Sequence, residues 1–90
     1  MSKSYEVEVI NKLGLHARAA AKLVKLATGF ESRIRLSYRG QVVDAKSIMG
    51  IMMLAAAQGA RILVDVEGAD AEAAAGQIER LFADRFGEEE

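Results

Sequence analysis

The hydrophobic residues of this chain recur with two different periods, and the order of those periods leaves few folds open. Tyr5-Glu6-Val7-Glu8-Val9, Ser32 to Tyr38 and Arg61 to Glu67 alternate inward and outward positions. Such alternation makes a strand with one face in the core and one in water. Arg39-Gly40 reads as a hairpin turn into a short fourth strand, Gln41 to Asp44, although arginine is not the favoured first residue of such a turn. Between the strands the period becomes helical. Ala20, Leu23, Val24 and Ala27 share one face from Ala17 to about Thr28, and Gly29 follows as a C′ residue. Ser47 N-caps an apolar run from Ile48 to Ala57, and Asp70 N-caps a last helix to about Phe86, ended by Gly87. Glu88-Glu89-Glu90 reads as a solvated tail. The order strand, helix, strand, strand, helix, strand, helix predicts one α+β domain over residues 1–90. Its four-stranded antiparallel sheet would carry all three helices on one face. Asp65 and Glu67 would meet Arg33 and Arg35 if those two strands pair.

Composition removes several classes of function. The 90 residues hold no cysteine and one histidine, so thiolate metal sites, disulfides and cysteine nucleophiles are excluded and a zinc site is not expected. A net charge of −1 lacks the basic excess of a nucleic-acid binder. No run resembles a signal peptide or a membrane span, so a soluble, cytoplasmic protein is expected, with no membrane insertion. No glycine-rich loop followed by lysine offers a nucleotide site, and no cofactor is expected.

Chemistry concentrates in Asn11-Lys12-Leu13-Gly14-Leu15-His16-Ala17-Arg18-Ala19-Ala20-Ala21. It joins the first strand to the first helix and so sets His16 at a helix N-terminus. There, unpaired N–H groups and about half a positive charge favour anions. Arg18 adds charge-assisted donors suited to phosphate oxygens, and a neutral imidazole nitrogen is a competent nucleophile. A lone histidine is equally readable as a polar loop residue or local cap. The flanking residues weigh against that.

Gly14-Leu15-His16-Ala17-Arg18, followed by Ala20-Ala21-Lys22-Leu23-Val24, resembles the active-site signature of the HPr family, the histidine-containing phosphocarriers of the bacterial phosphotransferase system. A second block, Ala45-Lys46-Ser47-Ile48-Met49-Gly50-Ile51-Met52, is similar to that family's regulatory-serine segment, and the likeness runs the length of the chain. The resemblance implies an open-faced β-sandwich and a phosphoryl carrier that is not itself an enzyme. His16 would accept a phosphoryl group at Nδ1 from phosphorylated enzyme I, charged by phosphoenolpyruvate, and pass it to an enzyme IIA. Arg18 would stabilise the phosphate, and Ser47 would be the target of HPr kinase/phosphorylase. The family usually has proline after the arginine. This chain has Ala19 there and no proline at all, so a less rigid loop with transfer retained is expected.

The segment Ile48 to Ala57 has no polar side chain. A helix in a two-layer domain must expose one side, so these residues serve either as core filler or as a docking surface rich in adaptable methionine. The resemblance favours docking, through a patch of His16, Ala20, Ile48, Met49 and Met52, with Ile51 and Leu54 inward and the protein a monomer. Ser47 is readable as a plain N-cap or as a phosphosite whose dianion would oppose partners at that patch. Two other readings stay open, a nitrogen-type regulatory paralogue and a binding module that signals through Ser47 without transfer. An acid–base enzyme is disfavoured, lacking a second histidine or a carboxylate clearly placed to orient the first.

Overall fold

A computed structural model describes residues 1–90. Its elements are β1 (Ser2–Glu8), α1 (Ala17–Thr28), β2 (Arg33–Tyr38), β3 (Gln41–Asp44), α2 (Ile48–Met53), β4 (Arg61–Glu67) and α3 (Ala71–Ala83), and a 3₁₀ turn spans Arg85–Gly87. The strands form one antiparallel sheet in the order β1-β4-β2-β3. This is the α+β antiparallel sheet that the alternating periods predicted, and the open-faced sandwich that the resemblance implied.

The period-two pattern decides which face of the sheet is dry. Val7, Ile34, Leu36, Ile62, Val64 and Val66 are buried together with Leu23, Ile51, Ile78 and Phe82 from the three helices. Each such side chain contributes about 1.5–3 kcal/mol by leaving water. On the other face, Arg33 stands opposite Glu67 and Arg35 opposite Asp65, the register expected from charge. None of these groups closes to an ion pair, and Asp65 accepts the Ser4 hydroxyl at 2.7 Å. The hairpin turn has positive φ at both Arg39 (49°) and Gly40 (83°), as a two-residue turn matched to strand twist requires. Arg39 offsets part of that strain by lying 5.3 Å over the Tyr38 ring.

Four local expectations need correction. Gly29 caps α1 with ordinary helical angles, φ −77° and ψ −5°, so no left-handed residue ends that helix. α2 stops at Met53 rather than Ala57. Ala55 turns to φ 50°, and the Ala56 carbonyl leaves the helix to accept the Leu15 N–H at 2.9 Å. α3 stops at Ala83, and Arg85, Phe86 and Gly87 all take positive φ (54°, 55° and 78°). Asp70 occupies the N-cap position of α3 without capping it. Its carboxylate reaches across to the loop after α1, accepting the N–H groups of Glu31 (2.8 Å) and Ser32 (3.0 Å) and the Ser32 hydroxyl.

These bonds, led by that from the Ser32 hydroxyl, hold the Asp70 carboxyl below the ordinary aspartate value. A depressed folded-state pKa stabilises the fold above the unfolded value, about pH 4, and is lost as the pH falls through the folded one. The stability difference between wild type and Asp70→Asn should therefore be widest above pH 5 and shrink below pH 4. Urea midpoints measured across that range check this; a gap independent of pH would refute it.

Candidate functional site

The loop between β1 and α1 is built around Asn11 and Gly14. Asn11 is fully buried, a polar side chain among apolar neighbours. Its backbone carbonyl accepts the Gly14 N–H at 3.2 Å and its side-chain Nδ2 donates to the Gly14 carbonyl at 2.8 Å. Gly14 has φ 69°, and a Cβ there would lie 2.5 Å from the Ala56 carbonyl oxygen. Only glycine allows this approach, which brings the start of α1 against the exit of α2.

The turn delivers His16 to the N-cap of α1 in extended conformation, with its side chain turned away from capping. The Ala20 N–H takes the His16 carbonyl at 2.8 Å. The N–H groups of Ala17, Arg18 and Ala19 have no acceptor within the chain; Ala17 and Arg18 are exposed while Ala19 is buried, so the helix mouth keeps two accessible donors for an anion. An open groove of about 860 Å³ lies over this mouth, lined among others by Lys12, His16, Arg18, Lys22 and Glu88. Arg18 is exposed and forms no ion pair, so its guanidinium is available to a ligand.

Of the three acidic residues expected to be solvated, Glu89 and Glu90 are exposed, but Glu88 is not, because the chain folds back over the groove. Phe86 is buried and packs edge-on against Phe82, ring centres 4.9 Å apart. Lys22 Nζ donates to the Phe86 carbonyl at 2.5 Å, and the Lys12 N–H donates to the Glu90 carbonyl at 2.8 Å. Glu88 then reaches the histidine itself. One carboxylate oxygen contacts His16 Nε2, and the other accepts Asn11 Nδ2 at 3.0 Å. Desolvation pushes the Glu88 carboxyl upward, but the hydrogen bonds from His16 and Asn11 and the nearby charge of Lys22 outweigh it. The net shift is downward.

Periodicity could not find Asn11 or Glu88. An Asn before Lys-Leu-Gly looks like any loop residue, and Glu88 belongs to a run of three identical charges. The signal that was available lies just ahead: Phe86, the last large apolar residue of the α3 pattern, demands burial and so draws the residues after it inward.

α2 presents the predicted surface in part. Met49 is 71% exposed, Met52 44% and Ile48 39%, while Ile51 and Leu54 point inward. Met53, at 64% exposure, joins them. Ala20 does not belong to the patch: it is 0% exposed, since the face it shares with Leu23 and Ala27 is the one α1 buries. Ser47 N-caps α2, its hydroxyl accepting the Gly50 N–H at 3.1 Å.

Comparison with known proteins fits this geometry. Residues 3–84 match the family model described as the PTS HPr component phosphorylation site. The phosphocarrier protein HPr of Cupriavidus necator is 51% identical over 85 residues, 94% of this chain and 96% of that protein. Among solved structures, HPr-C-His from Thermoanaerobacter tengcongensis superposes with a TM-score of 0.94 at 43% identity, covering 98% of this chain and 99% of the other. An HPr dimer from the same organism gives 0.78 at 44% identity, with 91% and 94% covered.

The Gly14 turn is the part of the site least able to absorb change. Gly14→Ala should cost about 2–4 kcal/mol, combining left-handed strain with a clash against backbone that has no free end to move. Urea unfolding measures it, and a loss under 1 kcal/mol would mean that the Ala56 carbonyl can move aside.

Proposed function

The chain belongs to the HPr family, the phosphocarriers of the phosphotransferase system, and we propose on that premise that His16 is the residue that carries the phosphoryl group. The observation that carries this reading is the uncapped mouth of α1. The sole histidine stands at two accessible, unpaired N–H groups, beside an arginine with no acidic partner. The imidazole supplies the nucleophilic nitrogen, while the helix end and Arg18 neutralise the phosphoryl oxygens. The protein acts as a carrier and is not an enzyme; turnover belongs to the partners on either side.

Phosphotransferase partners follow from the family. In our reading the donor is phosphorylated enzyme I and the acceptor an enzyme IIA, and both grip the patch of Ile48, Met49 and Met52 beside the helix mouth. Exposed apolar side chains on a helix otherwise facing the core support it. We read the protein as a monomer that acts in the cytoplasm, where such donors work.

Ser47 we read as the regulatory phosphosite, the target of a kinase of the HPr kinase/phosphorylase kind. Phosphorylation would withdraw a cap from the Gly50 N–H but leave a dianion at a helix N-terminus that favours it. The charge would stand next to Ile48 and Met49, opposing any partner that buries them.

Incubation with phosphoenolpyruvate and enzyme I should give one acid-labile phosphate, absent from His16→Ala; label persisting in that variant would refute the assignment. Met49→Glu should raise the KM of enzyme I for the carrier about tenfold or more with an unchanged unfolding midpoint. An unaltered KM would remove Met49 from the docking surface.

A further inference from the structure

Glu88 has no part in the function just described, yet it is the only carboxylate that touches His16. Its placement is built rather than incidental. The side chain is 11% exposed, and both oxygens are engaged, one by Asn11 and one by the imidazole. The orientation of the Asn11 amide is fixed from two sides, because the Gly14 carbonyl and the Glu88 carboxylate are both acceptors and both demand its NH₂ end. The backbone that brings Glu88 into position carries two non-glycine residues at positive φ, Arg85 and Phe86. Strain of that kind persists where surrounding structure holds it, and it gathers at functional sites.

The chemistry of the contact follows from the donor inventory. An ionised carboxylate only accepts, so the ring nitrogen facing it must carry a hydrogen. A neutral imidazole has one N–H and one lone pair, and a hydrogen bond at one nitrogen fixes the state of the other. With Nε2–H directed at Glu88, the lone pair lies on Nδ1. We propose that Glu88 is a positioning residue for phosphoryl transfer: seated by Asn11, it holds the Nε2 proton of His16 and so makes Nδ1 the accepting atom.

This inference rests on the reading of His16 as the phosphoryl acceptor. In the step, the Nδ1 lone pair forms the N–P bond while the bond from phosphorus to the donor protein breaks, its electron pair leaving on the donor atom. The ring becomes positive as the bond forms. Nε2 keeps its proton throughout, and the carboxylate beside it stabilises the developing charge. The two ring nitrogens point to different sides, so the incoming phosphoryl group meets Nδ1 on the side of the ring away from Glu88.

The test has one arm without any partner and one with it. Nitrogen-15 NMR of the full chain, labelled in its one histidine, reports the ring tautomer directly. Wild type at neutral pH should show Nε2–H, Glu88→Ala should show a mixture, and Glu88→Gln, whose single acceptor oxygen cannot serve both Asn11 and the ring, should hold Nε2–H only in part. With enzyme I and phosphoenolpyruvate, Glu88→Ala should lose about tenfold or more in kcat at similar KM, and Glu88→Gln should recover only part of that. Predominant Nδ1–H in the wild type, or a Glu88→Ala ring and rate like the parent's, overturns the proposal. Label that survives in His16→Ala would instead sink the acceptor assignment, so the two failures are distinct. A matched unfolding midpoint for Glu88→Ala excludes simple loss of fold as the cause.

Discussion

One backbone hydrogen bond, from the Leu15 N–H to the Ala56 carbonyl, joins the two halves of the functional surface. It exists because Gly14 lets two stretches of main chain meet without a side chain between them. On one side of the bond α1 begins with His16 at its cap. On the other α2 ends early, with Ala55 turned to positive φ so that Ala56 can face the loop. The histidine proposed as the carrier and the methionine surface are thus both close in sequence to a single junction. Neither helix could shift along its axis without breaking it.

The tail is held by a near balance of terms. Two non-glycine residues in left-handed conformation cost about 1–2 kcal/mol each. Burial of Phe86 returns about 1.5–3 kcal/mol, and its edge contact with Phe82 about 0.5–1.5 more. These terms nearly cancel. The polar bonds therefore decide: Lys22 on the Phe86 carbonyl, and Asn11 and His16 on Glu88. A latch of this design is local in its stability and can open without unfolding the sheet.

Much of the architecture was legible in the order of residues, because period and burial are the same information seen twice. Val7, Ile34, Leu36, Ile62, Val64 and Val66 face inward as their alternation required, and the pairing of β2 with β4 followed charge. α1 spans the residues its periodicity marked. Reading failed where tertiary contacts overrode local preference. Alanine favours helix, yet Ala55 to Ala57 leave α2 because a carbonyl is needed by Leu15. Asp70 has the side chain of a cap, yet two N–H groups of a neighbouring loop claim it. Ala20 sat beside the histidine in sequence but on the dry side of its helix. His16 and Arg18 were visible through their flanking motif, whereas the contacts of Glu88 with Asn11 and His16 join residues more than 70 positions apart.

That separation of 72 positions between Glu88 and His16, and of 77 between Glu88 and Asn11, has a consequence for when the site comes into being. Contacts across nearly the whole chain carry the largest loop-closure cost and form late. The loop at Gly14 also waits for Ala56. A chain folded through β1 and α1 alone would hold a histidine without its oriented proton and without its docking helix. Competence to carry a phosphoryl group is in this sense a property of the completed molecule, and a truncated or half-folded copy would make a poor acceptor.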